Sequence, residues 1–463
     1  MKNLIQITTV LFLFIQTIGY SQTKNTETIS KKQTTNLKNQ NTKTKIDTKI
    51  LKEFIGEYLL EDDYKGIAIL VKKGNQIHTA SMGGFNLEEN SVFNIASATK
   101  TFTAILILQE LEKGNLQLTD SIGKFLTPIK NVPQWLTIEN LLTHESGLDE
   151  VAGKNIEDIF YAKNDSIYNA QLLQQVERYD KEMFGKFDYC NTNYFLLGKI
   201  LEKITDRSYF DLLDERIINP LGLKNTHPYV SKSIPNLATP YHKGEDVTSY
   251  LDYRFFRNTV NAAGSMASTL PDMEKFYTSL FETEILLKKE TLKMMMDSGN
   301  ETYGFGLFKL TYEGQNYYGH GGNNIGYSFR NGYNPKTKNL YLMFTNSQRI
   351  SSEQLLKNNL LAFLHDKKIE SLNPVDIASF KKYIGTYLLK EANLVLKLVQ
   401  EENKLYLVVD AQGIKSKIMQ KDESTLYDTT VGATLSIIKG DDTHLRFNQN
   451  GFETTLARLP KKD

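Results

Sequence analysis

Three short polar motifs lie in a fixed order along this chain of 463 residues, and they constrain its fold more than any other feature. They are residues 97–100 (Ser-Ala-Thr-Lys), residues 189–191 (Tyr-Cys-Asn) and residues 320–322 (His-Gly-Gly). Together they supply an alcohol, an amine and a phenol, which can act as nucleophile and base without an imidazole. The fold must therefore bring three distant segments into one pocket, and the pattern predicts an acyl-transferring hydrolase.

The first motif opens a predicted helix that runs from residue 97 to about residue 113 and ends at Gly114. On a helix Lys100 neighbours Ser97, and the free N–H groups of the helix N-terminus favour an oxyanion there. A desolvated lysine can act as a base near neutral pH. The alternative is that Ser97 only caps the helix. The predicted buried face contains Ala104, Ile105, Leu108 and Leu111.

The second motif follows a polar turn and leads into an apolar helix with Ile200, Leu201 and Ile204 on its inner side. Tyr189 can present its phenol to the Ser97–Lys100 pair, and Asn191 can hydrogen-bond a substrate amide. The alternative is a packed aromatic residue followed by an N-cap. Whether Lys100 or Tyr189 is the base stays open, because the pair can titrate as a unit.

The third motif begins a segment that reads as an edge strand close to a substrate. Gly321 and Gly322 allow close backbone approach, the Asn323 N–H is a candidate oxyanion donor, and His320 lines the cleft opposite the nucleophile. Two antiparallel strands follow, joined at residues 334–338. The alternative is a glycine-rich bend with a structural histidine.

In order and spacing, these motifs resemble the serine β-lactamase and penicillin-binding-protein superfamily. The branch with a Tyr-x-Asn second motif holds class C β-lactamases, D,D-carboxypeptidases, D-aminopeptidases and related esterases. Further matching stretches are residues 141–148 (Leu-Leu-Thr-His-Glu-Ser-Gly-Leu), residues 219–223 and residues 263–269. The similarity spans about residues 50–365.

The resemblance implies an α/β (α+β) domain, with an antiparallel sheet flanked by helices, a helical lobe, and the cleft between them. It implies that Ser97 is acylated, that Lys100 and Tyr189 handle the proton, and that Asn191 positions the substrate. Residues 320–323 would hold the substrate tail and supply an oxyanion donor. The fold does not fix the substrate. We expect a peptidase of the D,D-carboxypeptidase or D-aminopeptidase kind, or an esterase.

Two alternatives remain, a class C-like β-lactamase and a penicillin-binding sensor that acylates without turnover. β-Lactamases usually carry Lys-Thr-Gly in the third motif, where the cation and the hydroxyl bind the carboxylate of the drug. Here the corresponding cation is His320, whose charge depends on its surroundings, and Gly321 lacks the hydroxyl. We therefore rank the peptidase or esterase above the β-lactamase.

Composition narrows the remaining possibilities. A net charge of +1 gives no indication of nucleic-acid binding, and the seven histidines form no metal motif. We expect no cofactor and no metal. The single cysteine, Cys190, excludes an internal disulfide and is interpreted as a small packed residue. The expected partner is a small-molecule or peptide substrate, including a peptidoglycan-derived one, and the oligomeric state stays open.

The ends of the chain have distinct patterns. Residues 1–21 are predicted to be a signal peptide cut after Ser21, which implies a periplasmic or secreted protein without a stable membrane span after processing. An uncleaved anchor is the alternative. Residues 22–47 are predicted to be a disordered polar linker, and residues 48–366 the catalytic domain.

The C-terminal region, residues 375–463, is predicted to be a small antiparallel β barrel or sandwich that resembles lipocalin-like domains attached to some members of the family. Its roles could be a wall near the cleft, an assembly surface, ligand capture or simple stabilisation. Five strands are predicted, at residues 385–389, 394–399, 405–409, 434–438 and 444–448.

Overall fold

The computed structural model describes residue 51 and residues 66–83, 87–88, 90–151, 156–162, 173–347, 353–367, 372–429, 431–449 and 452–460. The chain divides into two compact units, with one boundary between Arg349 and Ile350. The predicted signal peptide and polar linker lie outside the described residues. All three motifs belong to the unit that ends at Arg349.

This first unit is built on an antiparallel sheet of seven strands in the order β2-β1-β11-β10-β8-β7, with β9 paired to β10. Two small sheets pair β3 with β6 and β4 with β5. The strands are β1 Gly66–Lys73, β2 Gln76–Gly83, β3 Phe93–Asn94, β4 Tyr241–His242, β5 Glu245–Asp246, β6 Ala267–Ser268, β7 Phe308–Tyr312, β8 Gln315–Gly319, β9 Gly322–Asn324, β10 Tyr327–Asn334 and β11 Asn339–Thr345. The predicted hairpins β1–β2 and β10–β11 are both confirmed.

Helices flank this sheet, which confirms the predicted mixed fold. They are α1 Thr99–Glu112, α2 Ile138–Leu142, α3 Ile156–Tyr161, α4 Asn191–Thr205, α5 Tyr209–Leu213, α6 Asn219–Leu221, α7 Asn261–Gly264, α8 Leu270–Glu282 and α9 Lys289–Asp297. Within the described ranges, no helix combines the length and the apolarity needed to cross a bilayer.

Helix α1 is the centre of the first unit. The sequence predicted one buried face, but every residue from Thr99 to Leu108 is buried. Phe102 stacks on Phe276 with ring centroids 4.0 Å apart. On another side, a Cβ added at Gly306 would lie 2.8 Å from the Ala104 Cβ, so the chain passes very close to the helix there. A helix enclosed on all sides carries polar residues only where they find partners. Among residues 99–108, Lys100 is the one charged side chain, so its partners matter most.

The second unit contains a closed antiparallel barrel in which β19 pairs back to β12. Its elements are α10 Glu353–Leu364, α11 Ile377–Phe380, β12 Gly385–Leu389, β13 Leu394–Glu401, β14 Lys404–Val409, β15 Ile414–Asp422, β16 Thr425–Asp428, β17 Thr434–Ile438, β18 Asp441–Gln449 and β19 Phe452–Arg458. Leucines such as Leu398, Leu405 and Leu426 fill its core. The five predicted strands are present, and β15, β16 and β19 were missed.

Candidate active site

Ser97 lies in a tight turn that immediately precedes α1. Ala96 has a φ of 47°, in the left-handed region that non-glycine residues rarely adopt. The buried Asn94 holds this turn, because its Oδ1 accepts the Ala96 N–H at 3.2 Å and its Nδ2 donates to the Met266 carbonyl at 2.7 Å. The strained turn, braced by Asn94, fixes the direction of the Ser97 side chain.

The Lys100 amine has three acceptors and no exposure to solvent. Its Nζ donates to Ser97 Oγ at 3.2 Å, to Asn191 Oδ1 at 2.6 Å and to the Ala263 carbonyl at 2.8 Å. Burial lowers the pKa of Lys100 from 10.5 to about 7, although the nearby Glu150 carboxylate opposes this change. A large fraction of the amine is therefore neutral near pH 7. Once it loses a proton, two N–H groups serve Asn191 and Ala263, and the lone pair is left to face Ser97.

The phenol of Tyr189 belongs to the same cluster. The Lys100 Nζ lies 5.0 Å from the centroid of its ring. Burial raises the pKa of Tyr189 well above its ordinary value, while the Ser97 hydroxyl acts in the opposite direction. Among the described residues, the buried Tyr189 hydroxyl has no partner within hydrogen-bonding distance and angle. It is therefore a neutral phenol close to Ser97, able to donate a proton and not able to accept one in the resting site.

Asn191 is the first residue of α4, and it links the lysine to an acidic residue. Its side chain accepts from Lys100, and its backbone N–H donates to Glu150 Oε2 at 2.6 Å. The Glu150 carboxylate also raises the pKa of Asp188, after burial, which is the larger cause. The side of the site near α4 thus carries negative charge, which the sequence analysis did not predict.

His320 is fully buried and neutral. Its Nδ1 lies 2.6 Å from the Gly321 carbonyl, and its Nε2 lies 3.0 Å from the Tyr303 hydroxyl. Because a carbonyl only accepts, the proton is on Nδ1, and Tyr303 donates to Nε2. Burial, and then the charge of Lys100, lowers the pKa of His320 to about 3. The sequence left this charge open, and in the structure the His320 ring is neutral. A cation near the third motif is Arg330, whose Nη1 donates to the Gly322 carbonyl at 3.0 Å and to the Phe329 carbonyl at 2.8 Å.

The glycines of the third motif let strand β9 pass directly beside the nucleophile. A Cβ added at Gly322 would lie 2.4 Å from the Ser97 nitrogen and 2.7 Å from the Ala96 Cβ. A Cβ at Gly321 would lie 3.1 Å from the Arg330 Cδ. Asn323 follows on β9 with its side chain exposed. The strand is thus placed beside Ser97 as the sequence required, and the Asn323 N–H stays a predicted oxyanion donor.

Four contributors to this arrangement were missed by the sequence analysis: Asn94, Glu150, the Ala263 carbonyl and Tyr303. Asn94 offered a signal, since it is a lone amide in an apolar stretch. Cys190 is buried as interpreted, and burial raises the pKa of its thiol. No group of three or more His, Cys, Asp or Glu in the part of the chain that the structure describes is arranged to hold a metal.

Comparison with known proteins covers most of the chain. A sequence model for the family described as Beta-lactamase matches residues 51–364. A penicillin-binding protein of Bacillus subtilis (strain 168) is 25% identical over 88% of this chain and 97% of its own length. A putative penicillin-binding protein of the same strain is 27% identical over 55% of this chain and 64% of its own. The teichoic acid D-alanine hydrolase of Staphylococcus aureus is 25% identical over 54% of this chain and 62% of its own. The chain thus spans just under two thirds of these last two relatives.

Solved structures show the same fold. An octameric penicillin-binding protein homologue from Pyrococcus abyssi matches with a TM-score of 0.64 and 24% identity, over 89% of this chain and 99% of that one. D-Amino acid amidase from Ochrobactrum anthropi SV3 matches with a TM-score of 0.58 and 24% identity, over 69% of this chain and 99% of that one. At these identities the likeness establishes the fold alone.

Proposed function

Because this chain belongs to the Beta-lactamase family, we propose that it is a serine hydrolase that forms an acyl-enzyme on Ser97 and cleaves amide or ester bonds. One observation carries the proposal. The Lys100 amine, with a pKa lowered by burial to about 7, bridges Ser97 Oγ, Asn191 Oδ1 and the Ala263 carbonyl. A lysine held in this way has no evident structural purpose that a neutral side chain would not serve better.

In the proposed reaction, neutral Lys100 takes the proton of the Ser97 hydroxyl as Oγ attacks the substrate carbonyl. The Ser97 N–H and the Asn323 N–H face the oxyanion. The Tyr189 phenol donates its proton to the departing amine or alkoxide and regains one from Lys100. The C–N or C–O bond breaks and leaves an ester on Ser97. Water then attacks that ester and gives up a proton to the same pair. The bond between Ser97 Oγ and the acyl carbon breaks, Oγ regains the proton from the pair, and the acid is released.

The charge of the site supports a substrate with a protonated amine. Glu150 places a carboxylate within electrostatic reach of Lys100, and His320 is neutral. A substrate carboxylate would meet no cation at His320, and the Arg330 guanidinium beside Gly321 donates to the Gly322 and Phe329 carbonyls. An ammonium group would be attracted to Glu150. The names of two similar proteins, a D-amino acid amidase and a D-alanine hydrolase, fit this chemistry. We therefore propose D-aminoacyl amides and esters as the substrate class, ahead of β-lactams and ahead of a non-hydrolysing sensor.

A pair of substrates tests this class. The purified protein is expected to cleave D-alanine p-nitroanilide at least ~10-fold faster, in kcat/KM, than its N-acetylated form, which lacks the ammonium charge. In Glu150→Gln this ratio is expected to fall towards one. Any effect of Glu150 on the basicity of Lys100 changes kcat/KM for both substrates alike, so it cancels in their ratio. Faster turnover of a chromogenic cephalosporin than of either amide would contradict the assignment, and stable penicillin labelling without turnover would support the sensor.

The proposal includes export to the periplasm or the cell exterior, with cleavage after Ser21. N-terminal sequencing of the mature protein from its native host tests this part. An N-terminus at residue 22 supports it, whereas a mature chain that starts at Met1 contradicts it.

A further inference from the structure

We propose that His144 is a positioning residue, whose imidazole holds residues 189–191 so that the Tyr189 phenol meets Ser97; this rests on the hydrolase function proposed above. His144 belongs to the stretch 141–148, which the sequence analysis matched to the family without giving it a role. Its ring is fully buried and lies directly behind the second motif.

The His144 imidazole accepts a hydrogen bond from the backbone of the second motif. The Cys190 N–H donates to His144 Nδ1 at 3.1 Å, which fixes the residue between Tyr189 and Asn191. The ring of His144 also packs against that of Tyr189, with centroids 4.4 Å apart. The same side chain thus fixes both the backbone of this segment and one face of the phenol.

A second donor fixes the state of the ring. Asn193 Nδ2 lies 3.2 Å from His144 Nδ1, and Asn193 Oδ1 accepts the Ser146 hydroxyl at 2.7 Å. Since both neighbours of Nδ1 are N–H donors, Nδ1 carries no proton. If Nδ1 were protonated, its N–H would face the N–H groups of Cys190 and Asn193, and both hydrogen bonds would be lost. Burial, and then the charge of Lys100, lowers the pKa of His144 well below 6.5, which agrees with a permanently neutral acceptor.

The backbone of His144 also holds the segment that leads to the second motif. Its φ is 59°, in the left-handed region where asparagine, aspartate and histidine are enriched among the non-glycine residues. The turn also receives the segment that leads to the second motif, because the His144 carbonyl accepts the Asp188 N–H at 2.8 Å and the Glu145 carbonyl accepts the Gly185 N–H at 3.0 Å. His144 thus holds this segment through its carbonyl as well as through the contact of its ring with the Cys190 N–H.

Two substitutions separate the acceptor from the bulk of the ring. His144→Asn keeps an acceptor on Cγ and suits the left-handed backbone, whereas His144→Leu keeps an apolar side chain and removes the acceptor. The readout is the second-order rate of labelling by a fluorophosphonate probe. In this reaction Ser97 Oγ bonds to phosphorus as Lys100 takes the serine proton, and the P–F bond breaks while the Tyr189 phenol donates a hydrogen bond to the departing fluoride. The labelling rate therefore reports the position of the phenol, and no natural substrate is needed.

We expect His144→Leu to label ~10- to 100-fold more slowly than the wild type and His144→Asn to stay within ~5-fold, since small displacements of catalytic groups cost rates of this order. In a Tyr189→Phe background, His144→Leu is expected to cost less than ~3-fold, because its effect passes through the phenol. Should His144→Leu fail to fold, His144→Gly, which tolerates the backbone and also lacks the acceptor, takes its place in the cycle.

His227 provides the control. Its backbone bonds to Ala267, its ring feels the charge of Asp272, and the interactions described for it do not involve the three motifs. His227→Leu is expected to label at the wild-type rate. Equal losses in His144→Asn and His144→Leu, or a loss in His144→Leu that is fully retained in the Tyr189→Phe background, would overturn the positioning role. A wild-type protein that does not label at all, or a Ser97→Ala protein that does, would instead remove the hydrolase function and this inference with it.

Discussion

The two compact units bury very different kinds of side chain. The first unit encloses Lys100, His144, His320 and Asn94, each of them inaccessible to solvent. The barrel core is almost entirely aliphatic and aromatic, and its described buried polar residues are Ser416, Asp428 and Thr429. Burying a polar group without a partner is costly, so a core that contains an amine and two imidazoles indicates selection for something other than stability.

The contrast also concerns how the polar residues are connected. In the first unit the buried polar groups of the site bond to segments far away in the sequence, as Lys100 does with Asn191 and Ala263 and Asn94 does with Met266. In the barrel, cross-strand neighbours such as Leu398 and Leu407 repeat a simple alternation of inward and outward positions. The barrel core therefore has regular apolar packing, whereas the first unit holds the buried polar cluster that we propose as the reaction site.

The largest predicted effect removes the chemistry from the first unit. Ser97→Ala is expected to lower turnover of D-alanine p-nitroanilide by more than ~1,000-fold, because Ser97 carries the only hydroxyl that hydrogen-bonds the Lys100 amine among the described residues. Thermal unfolding should change little, since the substitution deletes one partly exposed hydroxyl. Measurable turnover by purified Ser97→Ala would show that the buried polar cluster is not the reaction site.

A smaller effect is expected from filling the space beside the nucleophile. Gly322→Ala adds a Cβ that would lie 2.4 Å from the Ser97 nitrogen, so β9 or the Ser97 turn must shift. We expect fluorophosphonate labelling to fall by ~10- to 100-fold. Gly74→Ala in the β1–β2 turn is the control for a glycine substitution away from Ser97. No atom lies within 4 Å of its added Cβ, and the strain from its φ of 58° is confined to that turn. A normal labelling rate in Gly322→Ala would place β9 further from Ser97 than the structure does.

The rate of labelling should also depend on pH in a defined way. Protonated Lys100 cannot accept the serine proton, so the rate is expected to rise as pH increases through about 7 and then level off. Below that pH the rate should fall ~10-fold for each unit. Burial keeps the pKa of Tyr189 well above 10, so the phenol retains its proton across this range. A limb centred near the ordinary lysine value of 10.5 would show that the amine is not desolvated.

Features of the fold and the site that arise from residues close together in the sequence could be predicted, and features that arise from distant segments could not. The hairpin β1–β2 was predicted because its turn at Gly74 and the short apolar run of β1 are local signals. Strand β15 was missed because its buried inward position is Ser416, a polar residue that interrupts the apolar alternation. The spacing of Ser97 and Lys100 predicted their contact, since it lies within one turn. The full burial of α1 and the neutrality of His320 could not be predicted, because both arise from segments packed around them.

The smallest effect on chemistry is expected in the barrel. Leu405→Ala removes a fully buried side chain and is expected to lower the free energy of unfolding by ~2–5 kcal/mol. Labelling of Ser97 should stay within ~2-fold of the wild type at temperatures where the protein is folded, because the contacts of Ser97, Lys100 and Tyr189 described above involve the first unit alone. Urea titration and the labelling assay on one sample test both parts. A large loss of labelling without unfolding would remove the distinction between the two units.

The third support of the Lys100 amine is a main-chain oxygen, that of Ala263, and this has an evolutionary consequence. Substitution at that position changes the side chain and leaves the carbonyl in place, so its identity can drift while the amine stays anchored. An inventory of invariant side chains would therefore overlook this anchor. To change the basicity of Lys100 through this anchor, one would have to move the backbone of α7, because a substitution at Ala263 leaves the carbonyl in place.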